Sequence, residues 1–510
     1  MSITVWIIFS YLGLLLLLGL VSKRFSKGTS ADFFVVGRSV GPFLLLMSVF
    51  GTTMTGFALV GSTGKAYTSG IGVYGLMASW SGLMHSAVFF LIGIRLWAIG
   101  KRHGYLTQCQ YFRARYDSPL VSYLLFPALV LLVIPYLLVG VISAGNFLRG
   151  ATRGIFMETF PDTAGGIPAE WGGLLICCVV LFYVFAGGMR GAVWANTMQT
   201  TIFMLTGVIA FYLISRQLGG LQAATQAVAD SDFASDRLAR EGKMGHLQFF
   251  SYFLIPLSVG MFPHIFQHWL TARSARTFRL AVVAHPLFIM IVWVPTILIG
   301  TWAAAALPPL TEGQNPNMVL GLMVNTLIES PVLSGILAAG VLAAIMSSLD
   351  SQFMCLGTMF TNDIVLRVTG QDRFTDRQKI LIGRAFIVGV VAFTYALAMW
   401  LKDTTHVFDL GVWCFSGFSG LFPIVFASVY WRRTTAAGVV AALLVTASVW
   451  VSLFLTDILG DKAPGEEMLI FGMMPVAPIF LASAVTLVVV SLLTRPPSEG
   501  TLRKFFMERA

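Results

Sequence analysis

Uninterrupted apolar stretches longer than about 18 residues recur from one end of this 510-residue chain to the other, and nothing else constrains its fold as tightly. Inside lipid, every backbone N–H and C=O must be satisfied within the protein, so only helices and closed barrels can cross. The stretches are far longer than the ~10-residue alternating segments of a barrel, so they are helices. Thirteen spans are expected, near 3–22, 43–64, 72–97, 120–146, 171–187, 194–215, 249–269, 280–306, 331–366, 380–400, 406–430, 436–457 and 474–494. With only 11% charged residues, against roughly 25% in a soluble domain, the chain has too little charge to solvate a globular surface.

A net charge of +10 could suggest a nucleic-acid partner, but the charge is a topology signal. With the N-terminus outside, about 24 of the 33 basic residues fall in inside loops, among them Lys23, Arg102, Arg115, Arg276, Arg377, Arg433 and Arg503. That bias predicts an N-out, C-in protein of the cytoplasmic (inner) or plasma membrane, with the lipid bilayer as its surroundings and no nucleic acid. The first run, Ile3 to Val21, lacks a basic n-region and a small-residue cleavage site, so it is expected to remain as the first helix. The five cysteines (Cys109, Cys177, Cys178, Cys355 and Cys414) lack metal-ligand spacing and read as helix packing. No GxxxxGK[ST] phosphate loop is present, which disfavours an ATP-driven pump. Seven scattered histidines make no catalytic constellation, so neither an enzyme nor an organic cofactor is expected.

The informative residues interrupt helices. In the second span, Gly51-Thr52-Thr53-Met54-Thr55-Gly56 places two glycines and three threonines at mid-membrane depth. Five helices later, Ser258-Val259-Gly260-Met261-Phe262-Pro263-His264 interrupts the seventh span. Each alone fits close helix packing or a proline kink. Together, one five-helix repeat apart, they point to an inverted-repeat transporter with its site at the midplane. Broken helices suit alternating access better than an open channel.

The ninth span adds oxygen chemistry. Ser347 lies ~24 Å along a helix beginning near Pro331, and Ser347, Asp350 and Ser351 share one face by i, i+3 and i+4 spacing. Hydroxyl and carbonyl oxygens suit a hard alkali cation stripped of water. A serine can equally back-bond to its own helix, whereas an intramembrane carboxylate such as Asp350 usually marks an ion or proton path.

These residues carry a resemblance. Gly37-Arg38-Ser39-Val40-Gly41-Pro42 leading into Gly51–Gly56, Ala344-Ile345-Met346-Ser347-Ser348-Leu349-Asp350-Ser351-Gln352, and Phe262-Pro263-His264 with Leu270-Thr271-Ala272 resemble the sodium:solute symporter family, over about residues 30 to 435. That family includes sodium/proline, sodium/pantothenate, sodium/glucose, monocarboxylate-type and sialic acid symporters. The resemblance implies an all-α membrane protein of about 13 helices in the leucine-transporter fold, with a five-plus-five inverted repeat and two broken helices. The expected division is 1–30 for the first helix and its inside loop, 31–248 and 249–433 for the two repeats, and 434–510 for the last two helices and tail.

By the same resemblance, a co-transported Na+ lies between the second and ninth spans. Its implied ligands are the backbone carbonyls of Gly51, Met54 and Ala344 and the hydroxyls of Ser347 and Ser348. Two departures matter. Some members carry an Asp on the sixth helix for a second sodium, where Trp194-Ala195-Asn196-Thr197-Met198-Gln199 places Asn196; the sodium/proline members have an Asp where this chain has Thr53. Asp350, with Ser351 and Asn196, is therefore a candidate second site for a cation or a proton, and a hydrogen bond from Asp350 to Asn196 is the third reading.

The solute is expected between the broken helices, near Thr53, Thr55, Gly56, Phe262 and His264, with Trp80, His85, Tyr136 and Asn146 as candidate walls. The fourth span carries no basic residue, unlike the sialic acid members. A small monocarboxylate or amino acid is the first expectation, a neutral sugar or pantothenate-like solute the next. The functional unit is expected to be a monomer.

Overall fold

The computed structural model describes residues 2–24, 29–34, 40–310, 315–370, 373–401, 406–460 and 467–506. The Gly37-Arg38-Ser39 part of the lead-in motif lies outside them. Among the described residues the fold is all-α, with two isolated backbone bridges as the only extended pairing.

Ten helices are long and apolar enough to cross a membrane, and two bent helix pairs raise the number to twelve. The 49-residue helix Ala169–Gln217 would run ~74 Å if straight, more than twice the ~30 Å of a hydrocarbon core. It is interrupted at Gly188 (φ 59°, ψ −154°), backbone that L side chains rarely adopt. A Cβ there would also sit 2.9 Å from the Phe33 carbonyl oxygen. Counted as two spans, it brings the total to the thirteen expected.

The order of elements repeats. The bent pair Pro42–Thr53 and Phe57–Ser69 precedes the 32-residue helix Gly72–His103, and the bent pair His246–Gly260 and Pro263–Thr271 precedes the 32-residue helix Ala275–Ala306. Each half continues with a long helix that opens on proline, Pro119–Ala151 and Pro331–Thr369, and then two more spans. Proline suits those starts because its missing N–H would be unpaired there anyway.

Burial separates core from periphery. The most apolar stretches of Pro331–Thr369 and Val407–Tyr430 are 78% and 89% buried, against 22% in Asp376–Leu401 and 33% in each of Ala436–Leu459 and Val476–Leu493. The ninth and eleventh spans are thus enclosed by protein, which is where polar side chains at membrane depth can be satisfied.

Two faces are recognisable. On one, Lys65 pairs with Glu467, Gln248 also hydrogen-bonds Glu467, and the Ile71 N–H donates to the Arg237 carbonyl. On the other, the Arg115 guanidinium donates to the Ser428 carbonyl and lies over the Phe506 ring, and Arg433 donates to the Thr494 carbonyl. The second face thus holds basic residues from two chain segments, Arg115 and Arg433.

Candidate functional site

Helix Pro42–Thr53 stops at Met54 (φ −90°, ψ 88°), and the chain resumes as a helix after a 57° bend. The bend strips the last-turn carbonyls of their i+4 N–H partners. Side chains from other spans take their place: Ser347 Oγ donates to the Gly51 carbonyl at 2.8 Å and Tyr136 Oη to the Thr52 carbonyl at 3.0 Å. Thr53 Oγ1 donates to the Phe50 carbonyl at 2.8 Å, and Thr55 Oγ1 accepts from the Phe57 N–H at 2.9 Å, capping the second half-helix.

Gly56 has ordinary helical dihedrals (φ −51°, ψ −28°), so the chain leaves helical geometry at Met54 and not at this glycine. Its glycine character serves close approach instead. A Cβ at Gly56 would lie 2.2 Å from Ser143 Oγ on the fourth span, and one at Gly51 would lie 2.2 Å from Thr200 Oγ1 on the sixth.

Of the five implied sodium ligands, the fold gathers three within hydrogen-bond distance: Ser347 Oγ is 2.8 Å from the Gly51 oxygen and 2.9 Å from the Ala344 oxygen. Ser348 Oγ donates to the Ile345 carbonyl of its own helix at 2.9 Å. Met54 lines the neighbouring cavity. A hydroxyl that donates to a carbonyl still carries lone pairs, so this neutral-oxygen cluster can exchange a hydrogen bond for a cation.

One helical turn on, Asp350 is fully buried. Tyr183 Oη donates to its Oδ2 at 2.9 Å, and Ser351 Oγ lies 3.1 Å from its Oδ1. With its amide oriented to satisfy both ends, Asn196 donates to Asp350 Oδ1 and Oδ2 at 3.0 and 3.1 Å and to the Ser347 carbonyl at 2.9 Å, and accepts from Ser351 at 2.8 Å. His268 Nε2 is 3.3 Å from Ser351 Oγ. The expected trio of Asn196, Asp350 and Ser351 is therefore in mutual contact. Tyr183 and His268 join it without any motif having pointed to them; His268 sits one turn after His264 on the second broken helix.

Between the two breaks lies a cavity of about 30 Å³, lined by Thr53, Met54, Phe57, Ser81, His85, Tyr136, Tyr252, Ile255, Pro256, Ser258, Phe262, Trp293 and Phe415. The structure brings Thr53, His85, Tyr136 and Phe262 to this cavity. It does not bring Thr55 or Gly56, which face the second half-helix and the fourth span. Trp80 packs against Phe249, Phe250 and Phe253 instead. His264 stacks behind the wall on Phe262 and Tyr136, and Asn146 donates to the Ile142 carbonyl of its own helix. Ser81 adjoins Trp80, and Ser258 opens the stretch that interrupts the seventh span; Trp293 carried no signal at all.

The inner ends of the two broken helices are joined. The Val40 N–H donates to the Thr271 carbonyl at 3.2 Å, and the Arg273 N–H donates to the Val40 carbonyl at 3.0 Å. Two motifs more than 200 residues apart thus meet at one backbone bridge, Val40 with Ala272.

Known proteins resemble this chain in sequence and in fold. The chain is 24% identical over 501 residues to sodium/proline symporter 2 of Staphylococcus saprophyticus, covering 96% of this chain and 92% of that one. It is 24% identical over 502 residues to the sodium/proline symporter of Staphylococcus aureus, with the same coverage. Among solved structures, a substrate-bound, outward-open Na+-coupled sialic acid symporter superposes with a TM-score of 0.74 at 18% identity, over 98% of this chain and 99% of that one. The inward-facing conformation of Mhp1 superposes at 0.57 and 13% identity, over 93% and 96%. These likenesses give the leucine-transporter fold. The sequence model of the sodium:solute symporter family matches residues 33–446, and the chain belongs to that family.

Proposed function

We propose that the protein is a sodium-coupled symporter that imports a small organic solute by alternating access, with a monocarboxylate or amino acid favoured. The contact between Ser347 Oγ and the Gly51 carbonyl carries this reading, because it sets an all-neutral oxygen cluster against the break in the second span. Met54, at that break, also lines the central cavity. A cation at the cluster and a solute in the cavity would share one hinge, which is what coupling requires: each stabilises the hinge conformation that the other binds.

The names of the sodium/proline relatives and of the Na+-coupled sialic acid neighbour support sodium as the ion. The proline relatives favour an amino acid. The cavity lining, which holds no acidic side chain to pair with an ammonium group, favours a monocarboxylate. The contacts of Asp350 with Tyr183 and Asn196 favour a second reading, in which Asp350 carries a proton or a second cation.

The proposed unit is a single chain in a cytoplasmic or plasma membrane, N-terminus outside. Cysteines introduced at Asp236 and Thr501, with the native cysteines removed, are expected to label from outside and inside respectively. The decisive test is uptake by proteoliposomes under an imposed sodium gradient, with a panel of monocarboxylates, amino acids and neutral sugars. Uptake indifferent to the gradient for every solute removes the reading.

A further inference from the structure

Three buried rings around the central cavity hold nitrogen atoms without hydrogen-bond partners. Trp293 Nε1 on the eighth span, His285 Nδ1 on the same span, and both ring nitrogens of His264 are unpaired among the described residues. Upwards of about 90% of buried polar groups in folded proteins are paired, and of these three rings Trp293 lines the cavity itself, so its indole N–H is the one a ligand there could complete. An indole N–H can only donate, so what meets Trp293 must present an acceptor.

A second observation gives the same polarity. His85, on the cavity wall, faces His285 across the third and eighth spans, with Nδ1 3.0 Å from His285 Nε2. One ring must donate and the other accept, so the two cannot both be protonated at these atoms. If His85 donated, His285 would carry its remaining proton on Nδ1, a buried N–H enclosed by the edges and faces of Phe50 and Phe89. An orphaned N–H is the rarer and costlier defect. The favoured arrangement is therefore His285 Nε2–H donating to His85 Nδ1, which leaves His85 with its proton on Nε2, the ring nitrogen remaining to face the cavity.

We infer that His85, held in this tautomer by His285, and Trp293 form an acceptor-reading wall that selects a small carboxylate lacking an ammonium group. This deepens the symport proposal and rests on it. Among the described residues, no Asp, Glu, Lys or Arg lines the cavity. An ammonium would find no carboxylate there, and the positive charge offsetting the solute is the cation at the adjoining break, which shares Met54. Trp293 and His85 touch the solute; His285 is a positioning residue.

The test uses the full chain in proteoliposomes with a sodium gradient, and four probes: propionate, lactate, lactamide and proline. Lactate and propionate are expected to be taken up in preference to lactamide and proline. Trp293→Phe and His285→Leu should each raise the half-saturating lactate concentration roughly 10-fold or more, the loss of a hydrogen bond to a charged group. Sodium-dependent thermal stabilisation, measured without solute, should be unchanged and reports that both variants fold. His285→Gln, whose amide N–H can replace the imidazole donor, should restore most of the lactate affinity, which a merely space-filling role would not require. Proline or lactamide transported as well as lactate overturns the assignment. So does an unchanged lactate half-saturation in Trp293→Phe and His285→Leu. If none of the four probes is taken up while sodium still stabilises the protein, this assignment alone is overturned. If sodium stabilisation is absent as well, the symport reading falls with it.

Discussion

At the first break, the carbonyls freed by a 57° bend are taken over by hydroxyls from the fourth and ninth spans. At the second, the bend is 50°, and the surroundings are aromatic. There the tighter helix Tyr252–Gly260 gives way to Pro263 at the start of the next, and Phe262 stacks on Tyr136 and His264 and meets Phe415 and Phe418 edge to face, at centroid separations of 4.8–5.8 Å. Similar bends thus serve different chemistry. The first break gathers neutral oxygens, which suit a dehydrated cation; the second offers ring faces, which suit the apolar part of an organic solute. The Val40–Ala272 bridge joins the start of the first broken helix to the end of the second.

The largest expected effect comes from forcing the first break away from the fourth span. Gly56→Leu should abolish uptake, since even a Cβ there meets Ser143 Oγ at 2.2 Å and Ser143 Cβ at 2.5 Å. The milder Gly56→Ala should be impaired by overpacking of about 1–3 kcal/mol and recover in combination with Ser143→Gly. A Gly56→Ala variant that transports normally would show that the close approach is not needed.

Ser347→Ala tests the oxygen side of the comparison. It should raise the half-maximal sodium concentration about 10- to 150-fold, from a lost contact of roughly 1.5–3 kcal/mol, with solute recognition largely retained at saturating sodium. Ser348→Ala should act in the same direction but less, because that hydroxyl already bonds Ile345 of its own helix. Sodium dependence unchanged in both variants would place the ion elsewhere.

Phe262→Leu is the mirror experiment. Each aromatic pair is worth about 0.5–1.5 kcal/mol, so the variant should weaken solute binding several-fold while sodium-dependent stabilisation stays as it was. A loss of sodium affinity equal to the loss of solute affinity would erase the division of labour between the breaks.

Asp350→Asn probes the polar cluster one turn beyond the proposed ion ligands. If the carboxylate holds a second cation, the variant should change the sodium-to-solute ratio; if it carries a proton, uptake should titrate with pH in the parent and lose that dependence. An unaltered ratio and pH profile leaves Asp350 a hydrogen-bond acceptor for Tyr183 and Asn196. The smallest effect is expected for Thr55→Val. It removes the cap on the Phe57 N–H, costing about 1 kcal/mol of stability, read as a lower melting temperature with little change in solute affinity.

Much of the proposed ion site was legible as a cluster because its signals are local. Ser347, Asp350 and Ser351 share a face through helical spacing alone, and Asn196 was marked by its place in a Trp-x-Asn-x-x-Gln pattern. The solute wall was less so. Thr53, His85, Tyr136 and Phe262 reach the cavity, while Trp80 does not; one residue round the same helix, Ser81 does. Rotation about a helix axis in the interior depends on what packs against it, and a helix that is apolar all round gives no stripe from which to read that rotation.

The sequence by itself determined that this chain crosses a membrane about thirteen times, where two of those crossings break, and which family motifs flank the breaks. Those properties follow from hydrophobicity, glycine and proline, which act over a few consecutive residues. Tertiary structure decided which residue carries the bend, Met54 rather than Gly56. It also set His85 against His285, 200 positions away, Tyr183 against Asp350, and Val40 against Ala272. Contacts of that kind depend on how separate helices rotate and approach one another, and no local pattern encodes the outcome.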